Sequence, residues 1–351
     1  MKILVRATNW VGDAVMSIPA LETIRGRWPS AEIAILARPW VAEIYRDQGY
    51  ADRIVVFDHA GAHRGVFGVE RLAGEIRRER FETAVLLQNA FEAAWIARRA
   101  AIPERIGYAR DGRGSLLTQA IAVPQCGEIP PHESYYYLEL LRRAGWIERL
   151  PVVNEIRLRV DFAKAQLAES RLCEAGVRSR TPTSLRIALA PGAAYGTAKC
   201  WPPERFAALA DRLIADFDAD VIIFGSASER EVARRIAAAM KHRATVLAGE
   251  TRIGDLPALL AACQLFIGND AGAMHVAAAV GLPVVTVFGP TDPEGTAPVT
   301  PRRSLVRHAV SCSPCFLRYC PVDHRCMTRV EVHQVYEAAR AWLARSEASV
   351  V

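Results

Sequence analysis

The segment KILVRATNWVGDAVMSIPALETIRGRW, residues 2–28, contains the structural unit that the rest of the chain repeats. It opens with a short apolar run at residues 3–5, which is typical of a strand buried on both faces. A small polar turn follows, and residues 14–28 then place apolar side chains three and four positions apart, as an amphipathic helix does. Pro19 inside that stretch predicts a kink or a later start of the helix. A strand followed by a helix is the repeating unit of a parallel α/β sheet.

The same alternation continues along the chain on both sides of one irregular stretch. In the first half it predicts strands at 33–36, 54–57 and 84–87 and helices at 70–80 and 133–144. In the second half it predicts strands at 185–189, 221–224, 245–247, 265–267 and 284–288, and helices at 204–217, 229–240, 256–263, 274–280 and 331–345. Residues 175–184, AGVRSRTPTS, lack periodicity and are interpreted as a linker.

The predicted fold class is therefore α/β, with two Rossmann-like domains at residues 1–178 and 185–351 whose parallel sheets face a central cleft. Ligands of such sheets bind at the carboxyl ends of the strands, so the cleft is the expected site. The length of 351 residues agrees, because it exceeds what one hydrophobic core usually supports.

Composition excludes several classes of protein. With 51% hydrophobic and 23% charged residues the chain is neither disordered, nor a collagen-like fibre, nor a disulfide-stapled miniprotein. Its net charge of +6 is a mild bias toward anionic partners and does not indicate a nucleic-acid partner. No signal peptide is recognised at Met1, and no apolar run approaches the roughly 18 residues that cross a bilayer, so a cytoplasmic location is expected.

The first candidate site is the turn NWVGD at residues 9–13. Gly12 permits a tight backbone path, and Asp13 lies at the start of a helix, at the carboxyl end of the first strand. Asp13 is interpreted either as a helix N-cap or as a catalytic carboxylate. No G-x-G-x-x-G occurs in the chain, which argues against a nicotinamide or flavin enzyme.

The second candidate is PGAAYGTAKCWP at residues 191–202, between a predicted strand and a helix. Small residues, the Thr197 hydroxyl and the Lys199 cation before a helix are what a phosphate site needs. A Walker A loop is excluded because Gly-Lys-Ser/Thr is absent. The alternative is a long connection with an exposed lysine.

The third candidate is GNDAGAMHVAAA at residues 268–279, where Asp270 ends a predicted strand. Ala271 and Gly272 leave backbone amides open beside that carboxylate, an arrangement suited to a sugar hydroxyl and a phosphate together. Asp270 could instead cap the helix, and His275 could be a core histidine. The turn FGPTD at 288–292 follows the next strand and could shape the same pocket.

These motifs, in this order and over essentially the whole chain, resemble those of the bacterial ADP-heptose:lipopolysaccharide heptosyltransferases, and most closely the members that add the second heptose. The resemblance rests on WVGD at 10–13 with SIP at 17–19, PGA at 191–193 with K-x-WP at 199–202, GNDAG-x-x-H at 268–275, and FGPTD at 288–292.

The resemblance implies an inverting, metal-independent glycosyltransferase of the GT-B type that needs no cofactor. It would move heptose from ADP-L-glycero-D-manno-heptose to the inner core of lipopolysaccharide. By this resemblance Asp13 is the general base on the acceptor hydroxyl, and Lys199, with Thr197 beside it, holds the donor's phosphates. Asp270, Ala271 and Gly272 hold heptose and phosphate, His275 supports that loop, and Glu229 binds the adenosine ribose.

The acceptor implied by the resemblance is acidic and phosphorylated, and it is presented at the inner face of the inner membrane. Arginines of the first domain are the expected contacts, and the candidates are Arg64, Arg110 and Arg113. The alternative is that they are solvated surface residues. Peripheral contact with the membrane is expected from such an acceptor.

Four of the eight cysteines, Cys312, Cys315, Cys320 and Cys326, fall within one short segment. They could close a tetrahedral zinc site, remain reduced thiols, or form disulfides. None is needed for the implied chemistry.

Two rival functions remain open. One is another GT-B sugar-nucleotide enzyme, such as a transferase that adds the first heptose or a nucleotide-sugar epimerase. The other is a non-catalytic, metal-dependent binding protein built around the cysteines, which would leave Asp13, Lys199 and Asp270 unexplained.

Overall fold

The computed structural model describes residues 1–179, 181 and 184–348, with side chains to Arg345. Arg180, Pro182 and Thr183, which belong to the predicted linker, lie outside the described residues. The chain divides into two compact units, Met1–Val153 and Asn154–Val351.

The first unit is a six-stranded parallel sheet with helices between its strands. Its strands are β1 (Lys2–Arg6), β2 (Glu32–Ala37), β3 (Arg53–Val56), β4 (Thr83–Leu86), β5 (Glu104–Tyr108) and β6 (Gln119–Ile121). Its helices are α1 (Val11–Met16), α2 (Ile18–Arg27), α3 (Pro39–Tyr45), α4 (Gly65–Arg78), α5 (Phe91–Arg99) and α6 (Glu133–Arg143). The strand order is β3-β2-β1-β4-β5-β6, the doubly wound order of a Rossmann sheet.

The second unit repeats this plan. Its strands are β7 (Arg186–Ala190), β8 (Asp220–Ile223), β9 (Thr245–Val246), β10 (Leu265–Asn269), β11 (Val284–Phe288) and β12 (Arg303–Arg307). Its helices are α7 (Phe162–Glu174), α8 (Pro203–Phe217), α9 (Arg230–Ala239), α10 (Leu256–Ala261), α11 (Gly272–Ala279), α12 (Pro293–Thr296), α13 (Arg325–Thr328) and α14 (Val332–Ala348). The order β12-β11-β10-β7-β8-β9 is again that of a Rossmann sheet, read from the other edge. The predicted fold class of two Rossmann-like halves is confirmed.

The apolar runs form strands because both faces of each sheet are covered. Ile3, Leu4 and Val5 of β1 are at most 1% exposed, and Leu4 packs in a core with residues of α4 and α5. The single helix predicted after β1 is two helices, α1 and α2. Pro19 lies in the first turn of α2, and because proline has no backbone N–H it cannot extend the hydrogen bonding of α1. The later helix start is thus confirmed.

The boundary between the units lies earlier in the chain than predicted. Residues 162–174 fall inside the predicted first domain, but they form α7, whose side chains make ion pairs within the second unit. Arg171 Nη1 lies 2.8 Å from Asp255 Oδ2, and Glu169 pairs with the fully buried Arg186 through two contacts of 2.6 Å. These charged contacts fix α7 to the second sheet.

No helix within the described residues is both long enough and apolar enough to cross a membrane.

Candidate functional site

The carboxyl edge of the second sheet brings together side chains from three loops. Lys199 follows β7, Asp270 follows β10 and Thr291 follows β11. Lys199 Nζ lies 2.6 Å from Asp270 Oδ2, and Thr291 Oγ1 donates a hydrogen bond of 2.6 Å to the same oxygen. The Lys199 and Asp270 side chains are only 13% and 4% exposed. Two residues predicted separately from sequence therefore form one nearly buried ion pair.

Asn269, which sequence analysis did not single out, ties two of these loops together. Its amide Nδ2 donates to the Pro191 carbonyl at 2.7 Å, and its Oδ1 accepts from the Trp201 amide at 3.0 Å. Asn269 is 1% exposed, so both bonds are shielded from water. The loop that carries Lys199 is held at both ends by this single side chain. Asn269 and Thr291 lie in the motifs GNDAG and FGPTD, and those motifs were the sequence signal that could have identified them.

Helix α11 begins directly after Asp270. Its N-cap is Ala271, and no side chain caps it, so the interpretation of Asp270 as a helix cap is wrong. The first amides of the eight-residue helix, from Gly272 onward, follow Asp270 by two residues. His275 lies in this helix and is 5% exposed, as expected both for a core histidine and for a support of the loop.

The Glu229 carboxylate packs against Gly192 of the loop that carries Lys199. Its Oε2 accepts hydrogen bonds from the Ser226 amide and hydroxyl at 2.7 and 2.8 Å, a capping box at the start of a 3-10 turn. A Cβ placed on Gly192 would lie 2.0 Å from Glu229 Oε1. The carboxylate thus occupies space that only glycine leaves open. Thr197 lies in the Thr197–Lys199 3-10 turn of the same loop and is exposed.

The cysteine-rich segment, residues 312–328, braces the Lys199 loop. The Ala198 amide donates to the Arg318 carbonyl at 3.0 Å, and the Ala198 carbonyl lies 2.7 Å from His324 Nε2. Tyr195 donates its hydroxyl proton to the Phe316 carbonyl at 2.8 Å. The segment also holds the loop after β11, because the Phe316 amide donates to the Pro290 carbonyl at 2.8 Å.

Of the three alternatives for the cysteines, the structure has reduced thiols, because all eight are free and none forms a disulfide. Within the described residues, no three His, Cys, Asp or Glu side chains are placed to hold a metal ion, and the proposed zinc set is not assembled. Cys326 is buried, and this burial together with the neighbouring cysteines raises the pKa of its thiol to about 11. A thiol with that pKa is protonated at neutral pH.

In the first unit, Asp13 lies in the first turn of α1 and is partly buried. The N-cap of this helix is Trp10, so Asp13 is not the cap, although its charge suits the helix dipole. Helix α6 packs against α1, and its first residue is Glu133. Burial, and then the Asp13 charge, raise the pKa of Glu133 to about 7. No feature of the sequence marked this carboxyl.

The three predicted acceptor arginines have different environments. Arg64 is exposed at the N-cap of α4. Arg110 is half exposed and pairs weakly with Asp111, its Nε lying 3.6 Å from Oδ1. Its positive charge partly offsets the rise in the pKa of Glu133.

Arg113 does not lie at the surface as predicted, because it is fully buried and bonded within the unit. Its Nε donates to the Tyr108 carbonyl at 2.9 Å and its Nη2 to Asn89 Oδ1 at 3.0 Å, while Nη1 donates to the Gln88 carbonyl. It therefore braces the loop after β4 and is not available as an acceptor contact.

Comparisons with known proteins agree with this architecture. Residues 69–325 match the sequence profile of Glycosyltransferase family 9 (heptosyltransferase). The chain is 30% identical to lipopolysaccharide heptosyltransferase 2 of Salmonella typhimurium over 88% of each chain. It is 29% identical to lipopolysaccharide heptosyltransferase 2 of Escherichia coli over 99% of this chain and 100% of that one. The solved structure of E. coli ADP-heptose lps heptosyltransferase II superposes with a TM-score of 0.83 at 28% identity, covering 99% of this chain and 100% of that one.

Proposed function

Because this chain belongs to glycosyltransferase family 9, the heptosyltransferases, we propose that it transfers heptose from ADP-L-glycero-D-manno-heptose to the inner core of lipopolysaccharide. The proposed product carries the second heptose, as the names of the relatives suggest. The observation that carries the proposal is the Asp270 carboxylate held between Lys199 and Thr291, at the sheet edge where a sugar nucleotide binds in this type of fold.

On the donor side, the residues supply positive charge to the leaving group. ADP departs with the electron pair of the bond between its β-phosphate oxygen and C1 of heptose, so negative charge grows on that oxygen. Lys199 and the first amides of α11 stabilise this charge without a metal ion. Asp270 is placed to accept hydrogen bonds from heptose hydroxyls, and Glu229 from the ribose of the nucleotide.

On the acceptor side, Asp13 acts as the general base. The acceptor hydroxyl oxygen forms the new bond to C1 on the face opposite ADP, and its proton passes to the Asp13 carboxylate, so the configuration at C1 inverts. Support comes from its position in the first turn of α1, the helix that follows β1 at the carboxyl edge of the first sheet. Glu133 faces Asp13 with a raised pKa, so around neutral pH it carries less negative charge than an ordinary glutamate.

We further propose that the protein works in the cytoplasm at the inner face of the inner membrane, where its acceptor is anchored. Beside Arg64, the apolar side chains of Val66 and Phe67 are 76% and 90% exposed. A cation next to exposed apolar groups suits contact with an anionic lipid surface. Arg64 and Arg110 remain the proposed acceptor contacts.

The decisive experiment measures transfer from ADP-heptose to a mono-heptosylated and to a heptose-free acceptor. We expect transfer to the first and little to the second, unchanged by EDTA, with inversion at C1 seen by NMR. The opposite acceptor preference would indicate the enzyme that adds the first heptose. Turnover of the nucleotide sugar without any acceptor would favour an epimerase, and no reaction with either acceptor would overturn the proposal.

The role of Asp13 is tested by Asp13→Asn, with Glu43→Gln as the control. Glu43 lies on α3 and pairs with Arg46, which follows that helix, so its substitution makes the same chemical change away from the proposed base. Transfer by Asp13→Asn should fall by about 100-fold or more while ADP binding is kept. Wild-type transfer by this variant would remove Asp13 from the mechanism.

A further inference from the structure

Two buried arginines meet at the carboxyl edge of the first sheet. Arg6 is the last residue of β1 and is 1% exposed, and Arg38, directly after β2, is 8% exposed. Both guanidinium groups lie over the ring of Phe57, at 5.6 and 4.1 Å from its centroid. One carboxylate accompanies them, that of Glu92, whose Oε1 lies 3.2 Å from Arg38 Nη2 and whose side chain is 38% exposed.

The described residues of the protein do not fill the hydrogen-bonding capacity of this pair. Arg6 donates through Nη2 to Asn9 Oδ1 at 2.9 Å and through Nη1 to the Ala7 carbonyl. Within the described parts of the chain, Arg6 Nε and Arg38 Nη1 are shielded from solvent and have no hydrogen-bond partner. Burial, and then the charge of Arg38, lower the pKa of Arg6 to about 10. A buried donor without a partner is costly, and so is an uncompensated charge.

Two other buried arginines show how this fold treats a guanidinium that has only a structural role. Arg186 is neutralised by both oxygens of Glu169, at 2.6 Å each. Arg113 has no such carboxylate, but each of its three nitrogens donates to an oxygen of the protein. Arg186, like Arg38, has one buried nitrogen without a hydrogen-bond partner among the described residues. The difference lies in the charge: two carboxylate oxygens face Arg186, whereas one oxygen of the partly exposed Glu92 faces Arg38. An anionic partner at Arg38 would remove this difference.

The position of the pair is that of a ligand site. In the order β3-β2-β1-β4-β5-β6 the chain reverses direction across the sheet between β1 and β4, and ligands bind at that crevice. Arg6 ends β1, and Glu92 lies in the first turn of α5, which follows β4. Asn9, which holds Arg6, belongs to the loop that leads to Asp13, and its carbonyl accepts from Trp40 Nε1 at 2.9 Å.

We propose that Arg38, backed by Arg6, binds an oxyanion of the acceptor, a phosphate or a sugar-acid carboxylate, after Glu92 has moved aside. A planar guanidinium binds a phosphate or a carboxylate through two parallel hydrogen bonds. In the free protein the Glu92 carboxylate lies where that oxyanion would bind Arg38. Glu92 is exposed enough to turn toward solvent, whereas Arg38 is not. The inference rests on the proposed function for the identity of the acceptor.

The kinetic test uses Arg38→Met, Arg38→Lys and Glu92→Gln in the full chain. The control is Arg46→Met. Arg38 precedes α3 and Arg46 follows it, but the Arg46 side chain is 50% exposed. In Arg38→Met the KM for the acceptor should rise about tenfold or more, because a charged hydrogen-bonded pair is lost, while the KM for ADP-heptose is kept. Arg38→Lys should recover part of this loss. Glu92→Gln should lower the acceptor KM, because a competing carboxylate is gone, and a purely structural pair would not give that result.

Two modified acceptors distinguish the sources of the oxyanion. If the group is a phosphate, an enzymatically dephosphorylated acceptor should be used equally by wild type and Arg38→Met. If it is a carboxylate, an acceptor with reduced carboxyl groups should remove the difference. An acceptor KM in Arg38→Met equal to that of wild type, or a fall in thermal stability alone, would overturn the inference.

A binding measurement separates this inference from the proposed function. Inorganic phosphate and acetate are titrated by calorimetry into the Lys199→Met protein, which lacks the lysine proposed to hold the donor phosphates, with and without Arg38→Met. Binding that disappears with Arg38→Met supports the site even if no heptosyl transfer is found. Binding of neither anion, or binding that survives Arg38→Met, counts against the site even if transfer is confirmed.

Discussion

The ion pair of Lys199 and Asp270 should make the second unit sensitive to the loss of either charge. Both side chains are almost fully buried, and their 2.6 Å contact leaves neither charge to water. Asp270→Asn removes the negative charge at nearly constant volume, so the Lys199 ammonium stays in a dry site with a weaker acceptor. Removing one member of a buried pair costs about 3–5 kcal/mol. We therefore expect the free energy of unfolding to fall by about 3 kcal/mol, since the amide still offers Lys199 an oxygen.

Lys199→Met should cost less, about 1–2 kcal/mol. Methionine fills the space of the aliphatic part of the lysine side chain, and Asp270 keeps the hydrogen bond from Thr291. The double variant should be more stable than the sum of the two losses predicts, because neither charge is then left buried without its partner. Side chains in direct contact couple by about 0.5–3 kcal/mol in such cycles.

The assay is equilibrium urea unfolding of the wild type, both single variants and the double variant, followed by circular dichroism and by tryptophan fluorescence. Five of the seven tryptophans lie in the first unit, so fluorescence follows mainly that unit, whereas circular dichroism follows both. Two probes are needed because the two units need not unfold together. Losses below about 0.5 kcal/mol in both single variants, or strict additivity in the double variant, would refute a desolvated and coupled pair.

Two further predictions concern a carboxyl and a glycine. Because folding raises the pKa of Glu133 from 4.5 to about 7, the folded protein keeps a proton that the unfolded chain releases between these values, so stability falls as pH rises across this range. Glu133→Gln should remove about 3 kcal/mol of this pH-dependent loss in the free energy of unfolding. The measurement is urea unfolding of both proteins at pH 5 and pH 8, and an equal change with pH in both would contradict the shifted pKa. Gly196→Ala should raise the KM for ADP-heptose several-fold, because its Cβ would lie 2.3 Å from the Arg318 carbonyl oxygen and displace the Lys199 loop. Gly74→Ala, with nothing within 4 Å of the added carbon, is the control, and equal donor KM in both variants would show that the loop tolerates the displacement.

Much of the fold could be predicted because its central strands are continuous apolar runs. Strands β1, β2, β7, β10 and β11 are buried on both faces, and such runs have no other stable place in a protein of this composition. The strands that were missed, β5, β6 and β12, are short or mix polar and apolar residues, because they lie at or near a sheet edge. Local pattern is weak there, and pairing with the neighbouring strand decides the structure.

The candidate site was predictable in its parts but not in its connections. Lys199 and Asp270 were each marked by a loop of small residues at a strand end, yet 71 positions separate them along the chain. Only the parallel pairing of β7 with β10 brings their loops to one edge. Thr291 joins the pair through the pairing of β10 with β11.

The sequence by itself determined the buried central strands, the helices with a clear apolar period and the loops that carry the candidate chemistry, because apolar periodicity and glycine-rich turns are local properties. The tertiary structure alone decided which side chains lose their water. A surface arginine and a buried one look alike in a sequence, yet Arg113 is enclosed and satisfied while Arg38 is enclosed and short of a partner among the described residues. Glu133 became a carboxyl with a pKa of about 7 only because α6 packs its first turn against Asp13. Burial and neighbouring charge come from distant parts of the chain, and they set the energy of each ionised group.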